Sequence, residues 1–267
     1  MATSTMLLLL ADGRFPAGAH AHSAGLEAAV AAGRVTDLTT LGEYLRGRLA
    51  TAGLVAAAFA EAACRAAAPG PAGAAAACRA AGAGSAGQVR SPSVPDRGGP
   101  PSSPEPDEAV LRRAVLARLD AELDARTASP AQRAVSRRQG RALLRAGRQI
   151  WPEATFDDLP AAPGGPHQPL VLGLVGAAAG LDPGQVATVA AHATVTGPAS
   201  AAVRLLGLDP YQVQALLVRL ADACDVTAAR AARAAGEPPE RLPAATAPLA
   251  DIHAEAHATW EVRLFAS

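Results

Sequence analysis

Apolar residues recur along this chain at intervals of three and four, and they alternate with polar ones almost nowhere. Leu38, Leu41, Leu45 and Leu49 keep that spacing, as do Val110, Leu111, Val115, Leu119 and Leu123. Side chains three and four apart share one face of a helix, so each set predicts an amphipathic helix. Thr36 or Asp37 is placed to cap the first of them. Gly53 predicts a break, followed by a helix carrying Leu54, Val55 and Phe59 toward Cys64. The β-branched and aromatic alternation of strands is nearly absent. The predicted fold class is all-α: a single-domain helical bundle of about eight to ten helices with a disordered insertion.

One device repeats at three predicted helix starts. Ser129-Pro130-Ala131-Gln132, Asp182-Pro183-Gly184-Gln185 and Asp209-Pro210-Tyr211-Gln212 each set a cap residue, a proline at the first helical position and a glutamine at the third. The cap oxygen accepts from a free backbone N–H, and the glutamine reaches back. The helix after Asp209 is predicted to run to about Ala235, with Gly236 beyond its end. An irregular tail rich in proline follows, then a short helix near His253 to Glu261.

The densest run of specific residues is Leu7 to Gly33. Four leucines lead into Asp12 and Gly13, a turn follows at Phe15-Pro16-Ala17-Gly18, and His20, His22, Ser23, Gly25 and Glu27 precede a second helix. Pro16 fixes φ and Gly18 permits angles other residues resist. Between residues 69 and 106 the composition changes to proline, glycine, alanine and serine with few large apolar residues. Such a segment buries too little surface to offset its ordering entropy and predicts a disordered insertion. The boundaries are therefore 1–68, N-terminal helices; 69–106, insertion; 107–236, the rest of the core; and 237–267, a tail.

Composition narrows the function. The chain has 267 residues, 50% of them hydrophobic and only 3% aromatic, and its net charge is +0. Alanine, the best helix former, supplies 70 residues. General nucleic-acid binding needs a basic footprint that is missing here. All 24 basic residues are arginine. Without lysine there is no Walker-type phosphate loop and no Schiff-base chemistry. Cys64, Cys78 and Cys224 are scattered and odd in number, which argues for a reducing compartment. Residues Met6 to Leu10 are too short for a signal-peptide core, so a cytoplasmic location is expected. Between Gln168 and Val203 the only charge is Asp182, but Gly180 to Pro183 and Gly197-Pro198 interrupt the run. A buried core is favoured there over a membrane hairpin.

Candidate chemistry is sparse. The helix after Ser129 carries Arg133, Arg137, Arg138, Arg141, Arg145 and Arg148 within an arc of about 140°, opposite Val135, Leu143, Ala146 and Ile150. This is either a solvated face or a docking surface for an acidic partner. Ser136 and Gly140 offer a smooth strip for close contact. Arg204 is the only arginine between Arg148 and Arg219, so it must be paired or sit at an interface. His20 and His22, and His253 and His257, are pairs that suit nickel but supply too few ligands for a closed site. No nucleophile–base–orienter set is suggested by local spacing. Trp260, Leu264 and Phe265 either fold back onto the core or anchor an interface.

The N-terminal run resembles the urease accessory protein F family, UreF, whose pattern is approximately L-x-L-x-D-x-x-F-P-x-G-x-x-x-H-S-x-G-L-E. Leu8, Leu10, Asp12, Phe15, Pro16, Gly18, His22, Ser23, Gly25, Leu26 and Glu27 match in order. Ser136 to Leu144 resembles the family's middle segment, and Ser200 to Leu205 its S-A-A-x-R-L segment. Asp251, Ile252, His257, Arg263, Leu264, Phe265 and Ser267 match its C-terminus, with Ala258 where glutamate is usual.

The resemblance spans about residues 7–65 and 107–267. It implies a non-enzymatic urease maturation chaperone, a homodimer that joins UreD (also called UreH) to the GTPase UreG. The assembly would deliver nickel to the urease apoprotein and modulate the GTPase, with no cofactor bound directly and nickel handled by the complex. The partner-binding residues it implies are Pro16, Gly18, His22, Ser23, Gly25, Glu27, Arg204, Asp251, His257, Arg263, Leu264 and Phe265. The tail from Asp251 would fold on binding UreD. A different class stays open: a stand-alone carrier holding nickel on its own histidines.

Overall fold

The computed structural model describes residues 4–16, 22–68 and 107–265. The expected insertion at 69–106, together with Gly18, His20, Cys78 and Ser267, lies outside the described residues. The described chain is all helical. α1 is Ser4–Ala11, α2 Leu26–Ala31, α3 Leu38–Arg48, α4 Leu54–Ala67, α5 Glu108–Arg126, α6 Pro130–Ile150 and α7 Gln168–Ala178. α8 is Pro183–Leu206, α9 Pro210–Arg219, α10 Ala221–Ala234 and α11 Pro248–Ala258. Short 3₁₀ turns at Phe156–Asp158 and Pro239–Arg241 complete the order.

α4 is the centre, packed by α7, α8 and α10. Its small residues explain why. Ala57, Ala58, Ala60 and Ala63 are fully buried, so neighbouring helices approach its backbone closely. The nearest approach is at Gly173 on α7, where an added Cβ would lie 2.5 Å from the Ala60 carbonyl oxygen and 2.8 Å from the Cys64 nitrogen. α8 is long enough to serve two apolar clusters. Val186 to Ala190 join the one around α4, α5 and α7, and Ala191 to Ala202 join the one with α2, α3, α9 and Phe265.

Gly53 does not break the helix. α3, a π turn at Leu49–Gly53 and α4 form one continuous helix, Leu38–Ala67. Gly53 has ordinary helical angles, and an added Cβ there would meet Thr194 at 3.1 Å. Its small size serves close packing against α8. Nor does Gly197-Pro198 interrupt α8, which continues through a buried Pro198. Burial of Val195, Ala199 and Ala202 on either side holds the helix together despite the hydrogen bond a proline removes. Conversely, the single helix expected after Asp209 is divided at Leu220, where φ is −95° and ψ −4°. The last helix begins at Pro248, five residues before the expected His253.

Leu38–Ala67 is long and apolar enough to cross a membrane, but 67% of its most apolar stretch is buried inside the protein. The stretch flagged from the sequence yields α7, with 11 residues, short of the about 20 a span needs. It also yields most of α8, which has 24 residues but is not apolar enough to qualify. Among the described residues only Leu38–Ala67 meets both criteria.

The three caps form, and they differ. Asp182 and Gln185 make the full reciprocal box, with Gln185 N–H donating to Asp182 at 2.8 Å and Asp182 N–H to Gln185 at 3.0 Å. Asp209 instead accepts from Tyr211 N–H at 2.9 Å. Ser129 accepts from Gln132 N–H at 3.1 Å, but the Gln132 amide turns away to donate to Asp251 on α11.

Candidate functional site at the joined chain ends

The sequence 22–27 folds into a tight bend because Ala24 and Gly25 both take left-handed angles, φ 53° and 86°. Only at Gly25 is that conformation free of a side-chain penalty. The Ser23 hydroxyl accepts from Glu27 N–H at 3.3 Å, and the Ala24 carbonyl accepts from both Tyr44 Oη and Arg48 Nη1 at 2.8 Å. These bonds aim Glu27 inward, where it is only 8% exposed.

Glu27 meets the other end of the chain. Its Oε1 accepts from Leu264 N–H at 2.8 Å, and its Oε2 accepts from Phe265 N–H and His257 Nε2 at 3.0 Å. Facing a carboxylate, His257 Nε2 carries the proton, and the imidazole also packs on Trp260, with ring centroids 4.7 Å apart. Burial would raise the Glu27 carboxyl. The Leu264 amide, His257 and the Phe265 amide outweigh it and hold the group below the usual carboxylate range. Phe265 is buried, and the Arg204 guanidinium lies 4.4 Å from its ring centroid.

Glu27, Arg204, His257, Leu264 and Phe265 thus come together, and Ser23 and Gly25 shape the bend beneath them. His22 is buried next to it. Asp251 is brought to a different place. It accepts from Gln132 Nε2 at 3.0 Å, while Glu255 accepts from the Ser129 hydroxyl and from Ala131 N–H at 2.8 Å. Two carboxylates therefore hold α11 against the start of α6, where free N–H groups favour negative charge. Pro16 and Arg263 are exposed. The expectation that the tail orders only on a partner is corrected. Through Phe265 it is ordered on the chain's own core, because Glu27 satisfies its backbone and Phe265 fills the α2–α8 cluster.

A second polar centre was not legible in the sequence. Arg137, assigned from spacing to the arginine face of α6, is turned inward. Its Nη2 donates to Asp120 at 3.0 Å and Asp124 at 2.8 Å, and its Nη1 to the Gly165 carbonyl at 2.6 Å. Arg138, Arg141, Arg145 and Arg148 remain exposed. Beside Arg137, the fully buried His167 joins Ser136 Oγ and Asp124, each at 3.0 Å. The order serine–histidine–aspartate is that of a hydrolase set. Here the imidazole is sealed from solvent, and the serine oxygen also accepts from Gln168 N–H. The set fastens α5, α6 and the entry to α7. Gly140 allows that closeness, since an added Cβ would lie 2.0 Å from the Pro166 carbonyl oxygen.

The Cys64 thiol is quenched. Burial first, and then the charge of Glu61, pushes the Cys64 thiol up to about 12, so it is no nucleophile at neutral pH. Among the described residues no group of three or more His, Cys, Asp and Glu side chains is gathered to hold a metal. His257 of the proposed nickel pair has its Nε2 committed to Glu27.

These ionisations predict how stability depends on pH. Burial, then the Arg137 charge, lowers His167 below its ordinary 6.5, and burial lowers His192. The unfolded chain therefore binds protons that the folded chain refuses, and stability falls as pH drops from about 6.5. Asp124, lowered against burial by Arg137 and His167, and Glu27 add to the loss below their ordinary 3.8 and 4.5. Asp251, raised mainly by burial, offsets part of it. Urea midpoints measured from pH 8 to pH 4 should fall steadily below pH 6.5; a flat profile would contradict the assignment.

Comparison with known proteins agrees with the resemblance noted in the motifs. The UreF family model matches residues 35–221. Urease accessory protein UreF of Mycolicibacterium vanbaalenii is 39% identical over the whole of both chains, and that of Mycobacterium sp. strain JLS is 41% identical over the same extent. UreF of Mycobacterium tuberculosis H37Rv is 36% identical over 86% of each chain. The family model stops short of Glu27 and of the tail, but the full-length relatives span both. Matched through its core and from end to end, the chain belongs to the UreF family of urease accessory proteins.

Proposed function

We propose that this chain is a non-catalytic scaffold of urease maturation. It works in the cytoplasm as a homodimer, joins UreD/UreH to the GTPase UreG, and modulates that GTPase so that nucleotide hydrolysis is coupled to nickel insertion into the urease apoprotein. Nickel passes through the complex and is not a resident cofactor of this chain. The observation that carries the reading is membership of a family whose full-length relatives are named urease accessory proteins.

The geometry supports it in two ways. Glu27, His257 and Arg204 at the joined chain ends are spent on internal contacts, which suits a shape-giving protein better than a reactive one. The tail also leaves Val262 and Leu264 at 85% and 72% exposure beside the buried Phe265, a small apolar pair suited to a partner surface.

The test is co-purification. The full chain should retain UreD/UreH and UreG and raise urease activity in cells supplied with nickel. A chain truncated after Pro248 should lose UreD/UreH. Undiminished capture by the truncated chain, or full urease activity in its absence, would overturn the reading.

A further inference from the structure

Glu27 holds the backbone of the last described residues. Beyond Trp260 no backbone-to-backbone hydrogen bond holds 261–265 among the described residues, and no helix or strand includes them. Two consecutive amides, those of Leu264 and Phe265, instead donate to one carboxylate, and His257 from α11 donates to the same group. An ionised carboxylate offers acceptors only, so it alone serves three converging donors. Glutamine would turn an N–H toward one of them. Glu27 is itself buried and cannot touch a partner. What it fixes is register: Phe265 goes in beneath Arg204, and Val262, Arg263 and Leu264 face out.

We propose that Glu27 is a positioning residue that acts through the backbone of Leu264 and Phe265 to present Val262, Arg263 and Leu264 in one preformed arrangement for the tail's partner. The inference rests on the proposed function, in which the tail docks UreD/UreH. Preorganisation lowers the cost of association by removing the ordering step.

The Arg263–Leu264 peptide bond gives a direct readout, because its own N–H is one of the two that Glu27 holds. Trypsin should cut the native full chain slowly there, although Arg263 is exposed. Glu27→Gln should be cut at least about tenfold faster, the scale expected when hydrogen bonds to a charged group are lost and cleavage follows the opened state. Its overall helicity should be retained, and its capture of purified UreD/UreH should weaken in step. Phe265→Ala, which leaves Glu27 in place and removes the anchor from the tail side, should do the same. An unchanged rate at Arg263 in both variants would overturn the proposal. So would native partner affinity in both while the chain truncated after Pro248 fails to bind. If the truncated chain binds as the native one does, the tail reading itself falls and takes the positioning role with it.

Discussion

Replacing Arg137 by methionine is expected to cost about 3 kcal/mol, the lower end of what breaking a buried ion pair costs. The guanidinium side chain is only 13% exposed, and it serves Asp120 and Asp124 together. Methionine keeps much of the volume, so the loss is electrostatic. Asp120, 7% exposed, keeps an acceptor bond to His167 N–H at 3.2 Å but loses the guanidinium paired with it. Asp124 is 42% exposed and recovers some solvation, which is why the lower end of the range applies. Arg138, one residue along and exposed, is the control: its replacement by methionine should stay within about 0.5 kcal/mol. Urea denaturation of the two variants measures the difference. Equal and small effects would return Arg137 to the solvated face.

Gly173→Ala is expected to lose about 2 kcal/mol net. An added Cβ meets the Ala60 carbonyl oxygen at 2.5 Å, Ala63 Cβ at 2.6 Å and the Cys64 nitrogen at 2.8 Å. Two of these are backbone atoms of α4, so no rotamer change relieves the clash and the helices must part. Overpacking of this kind costs up to about 3 kcal/mol or more, against a gain of about 1 kcal/mol in helix propensity. In a chain of this size the loss lowers the melting temperature by roughly 4–8 °C. Gly47, helical with nothing within 4 Å of an added Cβ, should show the opposite sign when replaced by alanine, a gain of roughly 0.5–1 kcal/mol. A melting series on the two variants decides whether alanine-thin packing at α4 is the structural centre.

The contrast between these glycines shows what was legible in the sequence. Periodicity and caps located the helices well, because both are local: Asp182 and Gln185 are three residues apart and bond each other. Breaks were misread where packing overrides local preference. Gly53 and Gly197-Pro198 look like stops, yet each sits where a neighbouring helix comes close or the flanking residues are buried. The arginine face was half right for a related reason. Spacing sets an arc on α6, but it cannot show that α5 and the 164–167 loop roof over Arg137 and leave Arg138 outside. The site is a stronger case. The motifs marked Glu27 and Phe265 as unusual, and nothing in either run announces that they meet, since 238 positions separate them.

That separation has a consequence for how the molecule is made. While a ribosome is still translating α11, Glu27 has no amides to hold, and the cavity between α2 and α8 lacks the ring that fills it. The helices that have already left the ribosome can pack in the meantime. Completion of the fold is therefore timed by the arrival of residues 264 and 265, and a nascent chain does not yet display a finished tail.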